Sequence, residues 1–231
     1  MKKLLARLRR PQPVNDPRCQ QIIAAAPLNE QPLRQQRLVV VDLETSGLNL
    51  QRDQLLAIGA VVIEDAAIDF SQQFECTLRQ PGHSAGPSTL IHGIAPSAVA
   101  AGREPAEALL AFMDFVGDSP LLAFHAPFDQ HMLQRALHET LGYRLQHPFL
   151  DAAALAPLLC PQAPPYKTLD DWLSHFGLHA STRHHASADA LATAELTLIL
   201  FSQARRQGLD NLAELQRQAQ AWQRRQSAPS L

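Results

Sequence analysis

The strongest hydrophobic pattern in the chain is Leu38-Val39-Val40-Val41, which runs directly into Asp42-Leu43-Glu44-Thr45-Ser46-Gly47. Four apolar residues in a row, three of them β-branched, predict a strand buried on both faces. Side-chain alternation then puts Asp42 and Glu44 on one face of that strand, and Gly47 breaks it. Residues 55–63 are rich in Ile and Val, and 68–78 alternate with a period near two. Glu64-Asp65-Ala66 forms the turn between them, so the first three strands read as an antiparallel meander.

Beyond the meander the pattern changes to helix alternating with strand. A Pro/Gly-rich loop covers 80–88, a short helical piece lies near 97–101, and a helix spans 104–116 with Pro105 in its first turn. Residues 120–124 read as a second buried strand, followed by a helix to about 141. A short strand at 149–150 closes on Asp151, and a short helix covers 152–159. The prolines between 161 and 165 break the chain before a helix at 169–176, which Gly177 terminates. In 186–206, Ala190, Leu191, Ala194, Leu198 and Phe201 recur at helical spacing. A polar helix covers 210–225. A meander followed by strand–helix alternation predicts an α/β layer fold with a mixed sheet. Residues 1–36 read as an arginine- and proline-containing arm with short helices, 37–206 as the main domain, and 207–231 as a C-terminal helix and tail.

Composition narrows the function. Hydrophobic residues make up 46% of 231 and charged residues 18%, enough for a full core and unlike a disordered chain. A net charge of -2 argues against a broad basic face gripping long nucleic acid, though a local pocket for a short end stays compatible. Cys19, Cys76 and Cys160 are few and scattered, which predicts neither a disulfide framework nor a zinc site and points to a reducing cytoplasm. No apolar run reaches membrane-spanning length, so no membrane partner is expected.

The chemistry starts with the paired anions. Asp42 and Glu44 at the mouth of a greasy strand repel each other, and a hard divalent cation such as Mg²⁺ or Mn²⁺ would relieve that repulsion. Taken alone, the pair favours a strand that simply ends in solvated carboxylates, as lone short motifs usually do. Asp129 follows the second buried strand, where an acid at a helix start also serves the helix dipole. Asp189 lies in the first turns of an Ala/Leu-rich helix, and His184 precedes it by just over one turn. Each of these, singly, is compatible with a solvated or capping role.

Taken together and in order, Val41-Asp42-Leu43-Glu44-Thr45-Ser46-Gly47-Leu48, Phe128-Asp129, and His184-His185-Ala186-Ser187-Ala188-Asp189-Ala190 resemble the three motifs of the DEDDh, or DnaQ-like, 3′-to-5′ exonucleases. That family includes the proofreading subunit of bacterial DNA polymerase III. Ala57-Ile58-Gly59-Ala60-Val61, Ile91-His92-Gly93-Ile94 and Asp151 agree with it, and the resemblance covers about 37–205. It implies a ribonuclease H-like fold with a five-stranded mixed sheet and helices on both faces. It also implies two divalent metal ions, Mg²⁺ or Mn²⁺, held by Asp42, Glu44, Asp129 and Asp189. His184 would be the general base, with His185 beside it as the competing candidate. Thr45, Leu48, His92 and Phe128 would contact the terminal nucleotide, although Leu48 and Phe128 could also be core residues.

One departure stands out: the family commonly has His-Asn ahead of Phe-Asp, where this chain has Phe124-His125. The expected substrate is the 3′ end of DNA, single-stranded or frayed, with a DNA polymerase subunit as a candidate partner. An exoribonuclease or oligoribonuclease of the same superfamily, and a non-catalytic binding module on the same fold, are the competing expectations. Since residues 1–36 contain no candidate catalytic group, their removal is expected to leave hydrolysis of a short oligonucleotide largely intact.

Overall fold

In a computed structural model, which describes residues 15–179 and 184–227, the apolar run becomes strand β1 (Leu38–Thr45). It pairs antiparallel with β2 (Leu55–Glu64), which pairs antiparallel with β3 (Ala67–Thr77). On its other side β1 runs parallel to β4 (Leu121–Ala123), and β4 parallel to β5 (Phe149–Asp151). The order β3-β2-β1-β4-β5 is the mixed five-stranded sheet expected, with β1 at its centre. Hydrophobicity without alternation is what a strand covered on both faces requires.

Helices cover both faces. Helices α3 (Pro105–Val116) and α4 (Ala126–Leu141) pack against Val39, Val41, Leu43, Ile58, Ala60 and Val62. The opposite face carries Leu38, Val40, Val61 and Ile63 under α5 (Ala152–Leu159), α6 (Leu169–His175), α7 (Ala186–Arg206) and α8 (Leu212–Ser227). Burial of each such side chain contributes about 1.5–3 kcal/mol. A one-residue slip of β1 would move Asp42 and Glu44 into the α3/α4 core, so its register is strongly specified.

One short helix was not legible as such. Residues 87–92, expected as loop, form α1 (Pro87–His92), ended by Gly93 at φ 68°; α2 (Pro96–Ala100) follows as expected. Helix α1 is only six residues long and exposes Leu90 and Ile91, so it carries no amphipathic stripe to read.

In the described part of the arm, two 3₁₀ turns, Pro17–Gln21 and Leu33–Gln35, lie against the main body. The Asp16 amide donates to Leu141 O at 3.1 Å and that of Ala26 to Asp118 O at 2.9 Å. Leu33 is 1% exposed within the α5–α8 core, and its amide donates to Asp210 O at 3.0 Å. Among the described residues no helix is long and apolar enough to cross a membrane.

Candidate active site

Parity along β1 decides where its carboxylates point. Leu38 and Val40 face the α5–α8 core while Val39, Val41 and Leu43 face α3 and α4, so Asp42 and Glu44 continue the even-numbered face, toward α7. Across the ladder Asp42 pairs with Gly59. A Cβ at residue 59 would fall 2.1 Å from the carbonyl carbon of Ala186 and 2.2 Å from the amide nitrogen of Ser187. Only glycine lets the first turn of α7 lie directly on the sheet. One turn further along, α7 delivers Asp189, which is 5% exposed.

Carboxylate oxygens of Asp42, Glu44 and Asp189 consequently lie within 4.8 Å of one another. Three like charges this close are costly by themselves and form an all-oxygen donor set suited to a hard divalent cation. Asp129, in the first turn of α4, lines the same cleft but lies outside that 4.8 Å set. Burial holds its carboxyl well above the usual range; Asp151 and Glu44 add to the shift, and hydrogen bonds from its own backbone and that of Leu43 oppose it. Asp151, at the end of β5, is itself pushed up by burial, against the amides of Ala126 and Ala153 that bond its Oδ1 at 3.2 and 3.1 Å. Asp129, a cleft-lining carboxyl that burial makes expensive to ionise, fits a site that a bound divalent cation would neutralise.

The structure separates the two histidines. His184 lines the cleft, has φ 60°, and its amide donates to Asp189 Oδ2 at 3.0 Å. A left-handed conformation at a non-glycine residue is a strain that clusters at functional sites. His185 turns away: its Nε2 lies 3.3 Å from Glu75 on β3, and its Nδ1 3.2 Å from Ser187 Oγ, which in turn donates to Glu75 at 2.9 Å.

The cleft encloses about 530 Å³. Leu48 and Phe128 line it; Thr45 and His92 do not. Leu48 is 84% exposed, which removes the core interpretation for that residue. It stands on a loop braced by Asp53, whose carboxylate accepts from Ser46 Oγ at 2.9 Å and Asn49 N at 2.7 Å. Thr45 is buried behind it and donates to Gly47 O at 2.8 Å. His92 is buried at the end of α1, accepts from the Ile94 amide at 3.0 Å, and is held below the usual imidazole range by burial and by His83.

Sequence reasoning did not assign a site role to Phe124, His125, Thr168 or Leu169, all of which line the cleft. The signal for Thr168 was present: Thr168-Leu169-Asp170-Asp171 is a capping box after a proline cluster.

The fold and site define an α/β protein whose acidic cleft opens at the carboxyl ends of the central parallel strands. The exonuclease (RNase_T) family model matches residues 39–197, and the chain belongs to that family. It is 29% identical over 178 residues to DNA polymerase III PolC-type of Thermotoga petrophila, covering 77% of this chain and 13% of that protein. It is 33% identical over 186 residues to a DNA polymerase III subunit epsilon-like protein of Rhodobacter capsulatus, covering 79% of this chain and 26% of that protein. The chain therefore spans a minor part of the length of these relatives. Among solved structures, E. coli exonuclease I in complex with a dA16 oligonucleotide superposes with a TM-score of 0.65 at 18% identity, over 74% of this chain and 42% of that one. The fold is accordingly that of these exonucleases, the ribonuclease H-like α/β fold expected.

Proposed function

We propose that the chain is a metal-dependent 3′-to-5′ exonuclease that releases nucleoside monophosphates from single-stranded or frayed 3′ ends of DNA. The observation that carries this is the convergence of Asp42, Glu44 and Asp189 within 4.8 Å, in one cleft with Asp129 and His184. Family membership and polymerase-linked relatives support it.

Asp42, Glu44, Asp129 and Asp189 would hold two divalent ions, Mg²⁺ or Mn²⁺. Such ions supply charge that steadies the attacking and leaving oxygens of an in-line displacement at phosphorus. A ring nitrogen of His184 takes the proton of the attacking water, a task suited to imidazole near neutral pH. The hydrogen bond that the His184 backbone N–H donates to Asp189 Oδ2 ties the base to the acidic cluster. Leu48, projecting from its braced loop, packs against the terminal base with Phe128 across the cleft. Thr45 acts from behind by holding that loop, and His92 by holding the end of α1. A DNA polymerase subunit is the proposed partner, by analogy with the relatives.

The test is hydrolysis of matched 5′-labelled DNA and RNA oligonucleotides with Mn²⁺, Mg²⁺ or chelator. A ladder shortening from the 3′ end of DNA, abolished by chelator and in Asp189→Asn, is the expected result. Preference for RNA moves the reading to an exoribonuclease. Metal-dependent thermal stabilisation without cleavage of either leaves a binding module and overturns the enzymatic reading.

A further inference from the structure

The departure at Phe124-His125 has a structural explanation and a consequence for substrate binding. His125 precedes α4 with φ 63° and ψ 44°, in the left-handed region. Asparagine and histidine are among the few side-chain-bearing residues enriched there, so the backbone geometry accommodates the exchange of one for the other. The side chains differ in reach: the Nε2 of histidine lies one bond further from Cα than the amide nitrogen of asparagine.

In this chain that reach is used. His125 Nε2 lies 3.0 Å from Lys167 O, and since a carbonyl only accepts, Nε2 is the protonated nitrogen. Lys167 belongs to the segment that leaves the 161–165 proline cluster and enters α6. That segment is anchored at its far end, where Thr168 and Asp171 cap α6 reciprocally and the Tyr166 ring packs on Trp172 at 5.3 Å. His125 ties it to the other side, the β4–α4 junction. The Phe124 ring meets the imidazole edge-to-face at 4.7 Å, which sets the orientation of the latter. Phe124, His125, Thr168 and Leu169 all line the acidic cleft, as does Leu48.

We propose that His125 is a positioning residue for the nucleotide strand: its bond to Lys167 O fixes the segment that brings Thr168 and Leu169 to the cleft as its wall. The wall presents the Phe124 and His125 rings to bases of a single strand, which stack on aromatic faces without regard to sequence. It also keeps the exposed Lys167 in the segment that borders the strand. The proposal rests on the exonuclease reading above and concerns binding alone; the acidic cluster is untouched by it.

The test uses the full chain with His125→Asn, which suits the left-handed backbone but falls short of Lys167, and His125→Gln, whose amide nitrogen lies as many bonds from Cα as the histidine Nε2. Loss of one hydrogen bond to the wall predicts a rise in KM for a single-stranded oligonucleotide of about three- to tenfold in His125→Asn, with kcat within about twofold. His125→Gln should recover part of it. Amide hydrogen exchange in a peptide covering 161–172, measured without substrate, should speed up in His125→Asn and return toward wild type in His125→Gln. Unchanged exchange together with unchanged KM overturns the proposal, as does a loss confined to kcat. If the wild type cleaves neither DNA nor RNA, the exonuclease reading fails, while the exchange result still decides whether the latch exists.

Discussion

Gly59→Ala tests whether close backbone contact between β2 and α7 assembles the acidic cluster. The added methyl would lie 2.1 Å from Ala186 C, 2.2 Å from Ser187 N and 2.4 Å from Ala186 O. Ordinary carbon contacts need about 3.5–4.0 Å, so one partner must recede by more than about 1 Å. β2 is held between β1 and β3, which leaves the start of α7 to move. Asp189 lies one turn along that helix and His184 just before it, so both shift relative to Asp42 and Glu44. Overpacking of this kind costs about 1–3 kcal/mol, a fall in Tm of about 2–12 °C for a domain this size. A displacement near 1 Å at the reacting groups costs about 10²-fold in rate. The assay is kcat on a labelled oligonucleotide beside a thermal melt, with Gly86→Ala as control, because a Cβ there meets nothing within 4 Å. Gly59→Ala with wild-type rate and melting would refute the reasoning, since the approach would then not be what places Asp189.

Asp129→Asn should abolish hydrolysis yet fold at least as stably as wild type in chelator. Because burial raises the Asp129 pKa in the folded state, its contribution is fully favourable below the unfolded value near 3.9 and is lost as pH rises through the folded one. Urea titrations in chelator should therefore show the variant gaining on wild type from pH 5 to pH 8, and a shrinking gap counts against the buried-acid account. His184→Ala should lower turnover by about 10²–10⁴-fold while metal-dependent thermal stabilisation persists; His185→Ala, whose ring is engaged by Glu75 and Ser187, should change the rate far less. A larger loss in His185→Ala moves the base by one residue. Leu33→Ala removes a fully buried side chain and should cost about 2–5 kcal/mol with kcat unchanged at low temperature; a silent result in chemical denaturation would show that the arm adds nothing to the core.

The strand assignments and the shared face of Asp42 and Glu44 were legible because they depend on local rules: β-branched runs make buried strands, and alternation has a period of two. The helix carrying Asp189 was legible for the same reason, from the spacing of Ala190, Ala194 and Phe201. Several features required the assembled chain, because each is a contact between residues far apart in sequence. Gly59 as the point where a helix touches the sheet was not visible in strand β2 itself. Leu33, in a polar and proline-rich stretch, became core only through its contacts with α5–α8. His184 and His185 are chemically identical neighbours, and they were separated by Glu75, more than a hundred residues away. Position 125 looked like a departure from a motif until its left-handed backbone and the distant Lys167 carbonyl gave the imidazole a place. Local sequence determined which elements form and which faces they present. Packing decided which carboxylates meet, because that depends on how closely two backbones can approach.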